Sequence, residues 1–159
     1  MRFILEHSLS PRLAIAIGAL EGAAGQQVEH LRSIHQDQSV PDTIWIPGLG
    51  RDHPDAIVIT ADPAISRKLH ERAAWYESKL RMFFLRGFAD LQHWDQAAKL
   101  VKWWPDVVKA ASKAKRGAGY LVTVNGKIEL LAPPRGKPPT SGEHETLQER
   151  APASGDGNH

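Results

Sequence analysis

Five consecutive residues, Ala56-Ile57-Val58-Ile59-Thr60, constrain this chain more than any other feature. The run is apolar and rich in β-branched side chains almost without a break. That is the pattern of a strand covered on both faces. A sheet covered on both sides needs helices above and below it, and the flanking sequence supplies them. Asp62-Pro63 follows at once, an N-cap with proline at the first helical position, and a charge-rich helix runs on to about Glu77. Upstream, Arg2 to Leu5 reads as a short apolar strand. Ser10-Pro11 then opens a helix whose buried stripe is Leu13, Ile17 and Leu20. Gln27 to Leu31 is a second strand, and Pro41-Asp42-Thr43 starts a helix through Ile44, Trp45 and Leu49.

Downstream, Arg81 to Leu85 is a fourth strand. Asp90 to about Lys113 is the longest helical pattern, with Trp94, Ala97, Ala98, Val101, Trp104, Val108 and Ala111 on one face. Pro105 is expected to kink or divide it. Tyr120 to Val124 and Lys127 to Leu131, joined by Asn125-Gly126, read as a hairpin with a type I′ turn. The order β-α-β-α-β-α-β-α predicts an α/β fold, a mainly parallel sheet flanked by helices through right-handed crossovers. Residues 132–159 carry five prolines and four glycines, with Leu147 the only large apolar side chain. Such a stretch buries too little apolar surface to offset its ordering entropy, so a disordered tail is expected beyond a domain of residues 1–131.

Composition removes several kinds of chemistry. The chain of 159 residues has no cysteine, which excludes disulfides, thiolate zinc sites, iron–sulfur clusters and a cysteine nucleophile. No apolar run approaches the roughly 20 residues that span a bilayer. Glu6 and His7 also interrupt the stretch that a signal peptide would keep apolar. The expectation is a soluble, cytoplasmic protein with no membrane partner. Glycines at 22, 25, 48 and 50 precede no Lys-Ser/Thr pair, so a nucleoside triphosphate loop is not expected. Ser8 and Ser10 lack the glycines of a nucleophile elbow. The eight histidines are scattered without an HxxxH pair, and His7 is assigned a surface or supporting role.

The acids are more informative. In an open parallel sheet the functional groups gather at the carboxyl ends of the strands. Glu6 lies one residue past the first strand and Asp62 two past the third. Asp42 opens the helix before the third strand, and Glu71, about two helical turns beyond Asp62, is a candidate fourth. Converging carboxylates repel one another unless a divalent cation compensates them. Oxygen ligands favour Mg²⁺ or Mn²⁺, which activates water and offsets phosphoryl charge. Phosphodiester hydrolysis suits such a site. Each acid also has a plainer reading. Asp42 and Asp62 make good N-caps, and Glu71 pairs readily with Arg67, Lys68 or Arg72. Glu6 alone lacks an easy structural role, since a carboxylate at a buried strand end is costly unless paired.

Two further features bear on partners. Lys99, Lys102, Lys109, Lys113, Lys115, Arg116 and Lys127 are opposed only by Asp106 over that span, which reads as a polyanion footprint or a solvated helix face. Arg67, Lys68 and Arg72 are candidate contacts for the phosphates of a scissile strand. Trp94 and Trp104 fall on the apolar stripe. Trp103 falls off it, which suits base stacking or a protein-partner or dimer interface.

The segment FILEHSLSPRLA resembles the opening of PIN-like nuclease domains, in particular the LLDxNLSPRLA start of a toxin-type (VapC-like) subfamily. VITADPAI is similar to the strand–T-x-D element that delivers another metal-binding Asp. PDTIWIPGL, LRMFFL and DLQHWDQAAKLVKWWPDVV resemble that subfamily too, so the likeness spans residues 2–131. It implies a three-layer α/β/α sandwich with acids at one edge holding Mg²⁺ or Mn²⁺. It also implies an RNA-cleaving toxin of a type II toxin–antitoxin pair, with a cognate antitoxin and a homodimer as partners. Glu6, Asp42 and Asp62 take the positions of the catalytic and metal-binding acids, and Glu71 that of a further ligand. Two departures matter: Glu6 replaces Asp, and Ser8 replaces Asn. The extra methylene moves the carboxylate by about one C–C bond, which octahedral Mg²⁺ tolerates poorly. A catalytically degraded module that binds protein or RNA is therefore the alternative.

Overall fold

A computed structural model of the chain describes residues 1–131 apart from residue 24; the tail expected at 132–159 lies outside the described residues. Strands β1 (Arg2–Leu5), β2 (Gln27–His30), β3 (Ala56–Thr60), β4 (Arg81–Leu85), β5 (Gly119–Val122) and β6 (Ile128–Leu130) form one sheet in the order β2-β1-β3-β4-β5-β6. The first five run parallel and β6 returns antiparallel to β5. The helices are α1 (Pro11–Glu21), α2 (Asp42–Asp52), α3 (Ala64–Arg67), α4 (Leu69–Ser78) and α5 (His93–Lys113), with a 3-10 turn at Leu31–Ser33.

All five residues of β3 are buried, as the two-sided cover requires. Alternation along the central strands builds two cores. Phe3, Leu5, Ile57, Ile59, Phe83 and Leu85 face α1 and α5. Ile4, Val58, Met82 and Phe84 face α2 and α4, where Trp45, Leu49 and Trp75 close the layer. The result is an α/β/α sandwich. The chain leaves β1 toward β2, then returns past β1 to β3. The direction of winding reverses between β1 and β3, the switch point at whose carboxyl ends an open parallel sheet forms its crevice. Among the described residues no helix is long and apolar enough to cross a membrane.

Several local expectations need correction. Ser10 caps α1 through Arg12 N–H and Pro11 is its first residue, but the buried stripe is Leu13, Ala14 and Ile17. Leu20 shares that face yet is exposed, one turn beyond the last covered residue. The helix after Asp62 is two helices, because Lys68 takes an extended conformation between α3 and α4. On α5 the stripe is Leu100, Trp103, Trp104, Val107 and Ala111. Both registers contain Trp104 and Ala111, so spacing alone did not separate them. Trp103 is thereby core, packed 5.8 Å from Phe88, while Trp94 is 83% exposed. Pro105 does not divide α5; the carbonyl of Val101 that it cannot serve belongs to a partly exposed residue. The hairpin turn is not type I′. Gly126 N–H donates to Thr123, and Gly126 has φ 83° while Asn125 has no positive φ. That is a type I turn completed by a left-handed glycine, the usual three-residue loop.

Candidate active site

The crevice between β1 and β3 is spanned by hydrogen bonds. Glu6 N–H donates to the Ile59 carbonyl at 2.9 Å, continuing the ladder one residue past β1. The Glu6 side chain is 6% exposed, and its Oε2 accepts three hydrogen bonds: from Ser8 N–H, from the Ser8 hydroxyl, and from the Thr60 hydroxyl at 2.9 Å. Each hydroxyl serves a second group. Ser8 Oγ accepts from Ala61 N–H at 2.9 Å, and Thr60 Oγ1 accepts from Asp62 N–H at 2.9 Å. Ser8 and Thr60 thus tie the loop after β1 to the loop after β3. The buried carboxylate gets the pairing it needs, and its Oε1 has no partner among the described residues. Sequence reasoning missed this role for Ser8; the signal was the closeness of two short hydroxyls to two strand ends.

Asp62 is not the cap expected of it, since α3 begins at Ala64 with Pro63 as its N-cap; from one residue earlier, Asp62 Oδ1 accepts from Ala64 N–H at 2.7 Å, which leaves Oδ2 unpartnered among the described residues. Asp42 is not a cap. It is the first residue of α2, whose N-cap is Pro41, and its Oδ1 accepts from Trp45 Nε1–H at 2.6 Å. Burial pushes the Asp42 carboxyl up to about 6, against the pull of the Trp45 bond, and Glu71, Glu6 and Asp62 add to the rise in that order. Its charge therefore feels all three of the other acids. Glu71, in the first turn of α4, meets Lys68 Nζ at 3.1 Å through Oε1, while Oε2 is buried without a partner. With the lysine side chain 67% exposed, that pair is worth about 0–1 kcal/mol.

The candidate phosphate contacts separate. Lys68 is engaged by Glu71, and Arg72 is partly buried on α4. Arg67 is exposed and lines a cleft of about 370 Å³ beside Asp62. His7 Nδ1 is buried without a partner, and its ring meets His30 edge-on at 5.6 Å. Burial holds His7 below the usual histidine range, with the Glu6 charge opposing.

Whether these acids suit a divalent cation can be tested on the donors. All are carboxylate oxygens, Glu71 Oε2 is an orphaned buried acceptor, and Asp42 carries the strain of its neighbours' charge. That chemistry fits Mg²⁺ or Mn²⁺. Among the described residues, however, no three His, Asp or Glu side chains stand close enough to share one ion. Closing a coordination shell therefore requires rotation of side chains that repel one another in the absence of a cation.

Residues 1–87 match the family model described as a PIN like domain. No curated protein and no solved structure matches the chain.

Proposed function

Since the chain belongs to the PIN-like domain family, whose model covers more than half of it, we propose that it is a divalent-metal-dependent endoribonuclease. PIN domains are usually nucleases, so an enzyme of nuclease type is the starting point. The observation that carries the finer reading is Asp42, a carboxyl raised to about 6 by burial and by three other acids around one sheet crevice. Strongly perturbed carboxylates in a cleft mark functional sites more often than structural ones. In this reading Glu6, Asp42 and Asp62 hold Mg²⁺ or Mn²⁺, with Glu71 completing the set through Oε2. The ion supplies an activated water and charge compensation at the phosphate. Ser8 and Thr60 keep Glu6 pointed into the crevice, Ala64 N–H fixes Asp62, and Trp45 fixes Asp42. Arg67 and Arg72 lie on the helices that follow Asp62, placed to contact phosphates; Lys68 must first leave Glu71.

The toxin role, with an antitoxin partner in the cytoplasm, is the biological form of this proposal. Ile44, Leu69, Tyr76 and Trp94 are exposed, and they offer apolar surface to an antitoxin or a second copy. The test is Asp62→Asn, whose amide oxygen can still accept from Ala64 N–H. RNA cleavage in Mg²⁺ or Mn²⁺ is expected to vanish while the far-ultraviolet circular dichroism stays unchanged. Full cleavage by a clean preparation of that variant ends the assignment. The second reading, a degraded module, draws on the lack of any preformed three-ligand group among the described residues. Calorimetric titration decides between them: carboxylate-dependent Mn²⁺ binding supports the nuclease, and its absence at millimolar metal supports the module.

A further inference from the structure

The cleft beside Asp62 lies on the β4 side of the crevice, and of the four acids Asp62 alone lines it. Its floor is apolar, with Phe84, Leu121 and Leu131, and its walls carry Arg67 from α3 and Arg86 from the loop after β4. Both arginines are exposed, and neither guanidinium has a hydrogen-bond or ion-pair partner among the described residues. The groove between α5 and the hairpin has Lys109, Lys113 and Lys127 but touches none of the acids.

We propose that this cleft seats one unpaired nucleotide flanking the scissile phosphate, with Arg67 and Arg86 holding its phosphate and the apolar floor taking its base. A volume of about 370 Å³ falls in the range of small-ligand sites. The cleft also contains Asp62 and Asp90, so its charges sum to zero and it is not a sink for free anions. Separated cations and an apolar floor instead match a ligand that is anionic at one end and flat and apolar at the other. In a duplex the bases are stacked inward, so only an unstacked nucleotide can present its base to this floor. Guanidinium groups suit phosphate because their planar donors bind it bidentately. Arg86 is the new element: it follows β4 while Arg67 ends α3, and both line the same cleft. The inference rests on the proposed nuclease reading for the identity of the strand, but not for the binding itself.

The experiment measures binding of a short labelled single-stranded oligoribonucleotide to the full chain in EDTA, by fluorescence anisotropy across a range of KCl. Each phosphate contact on a single strand contributes about 0.7 to the slope of log K against log salt. Arg86→Ala is expected to lower that slope by about 0.7 and weaken binding roughly tenfold at low salt, and Arg67→Ala/Arg86→Ala by about 1.4. Arg51→Ala, in the last turn of α2 where the arginine pairs with Asp52, is expected to change neither. A duplex of the same sequence is expected to bind more weakly and to be insensitive to Arg86→Ala. Unchanged slope and affinity in Arg86→Ala overturn the proposal, as does an equal effect from Arg51→Ala or the absence of any binding. If wild-type protein cleaves RNA while Arg86→Ala binds normally, this inference fails and the nuclease reading stands. If Arg86→Ala loses binding but wild type never cleaves, the cleft stands and the nuclease reading fails.

Discussion

Replacing Asp42 by asparagine is expected to stabilise the metal-free protein at neutral pH while abolishing its response to metal. The Asp42 carboxyl is raised from 3.8 to about 6, a difference of about 2 units. Each unit is about 1.36 kcal/mol, so keeping this group ionised costs about 3 kcal/mol, an upper figure because solvent reaches part of the side chain. The folded value lies above the unfolded one, so the native state holds the extra proton between pH 4 and 6. The stability this proton provides is fully present below about pH 4 and is lost as the pH rises through about 6. Asparagine cannot ionise, and its amide oxygen can still accept from Trp45 Nε1–H. In EDTA, urea unfolding should show variant and wild type nearly equal at pH 4. The variant should gain with pH, by less than about 3 kcal/mol at pH 8, at constant m-value. Added Mg²⁺ or Mn²⁺ should raise the Tm of wild type in proportion to log concentration and leave the variant nearly unmoved. A variant no more stable than wild type at pH 8, or a gap that ignores pH, refutes the claim that burial, with the neighbouring acids adding to it, sets the state of Asp42.

Two further perturbations address the bridge between the loops. Thr60→Val keeps the shape of a buried strand residue but removes the hydroxyl that donates to Glu6 and accepts from Asp62 N–H; urea unfolding should register a loss of about 1–3 kcal/mol, and cleavage should fall at least tenfold. Glu6→Asp and Ser8→Asn, which restore the pattern of the resembling family, are each expected to impair cleavage alone, because either change breaks the triple hydrogen bond at Oε2. The double variant should recover more than the sum of the two, with a coupling of about 0.5–3 kcal/mol in a double-mutant cycle on kcat/KM.

The fold was legible wherever one local signal sufficed. β3 declares itself by five apolar or β-branched residues in a row, and β1 and β4 by similar short runs, so their bounds fall where the sequence puts them. Ser10-Pro11 carries its own capping chemistry and α1 begins there. What escaped was decided by contacts between distant residues. The α5 stripe is ambiguous by one residue, because Leu100 and Val101 are equally apolar and only the neighbours choose. Phe88 and the hairpin glycine at 126 make room for Trp103, and that fixes the rotation of the helix. Asn125-Gly126 suits a two-residue turn, but the Thr123–Lys127 pairing needs one residue more.

The candidate site divides along the same line. Strand ends and a topological reversal bring Glu6 and Asp62 to one crevice, and both facts follow from the order of elements. Asp42 joins them for a reason no spacing rule contains. It is the first residue of α2 and not its cap, and its neighbour Trp45 turns an indole N–H back onto the carboxylate and holds it there. Ser8 stands where the resembling family has Asn and looks like a loss when read alone. In the structure it is one of two hydroxyls that close the loops onto Glu6, so the longer acid and the shorter polar residue form one arrangement. A carboxylate pinned at Oε2 by three donors keeps its charge turned into the crevice, and that constraint offsets the freedom of the added methylene. The two departures from the resembled pattern are therefore one hydrogen-bonded pair in this structure.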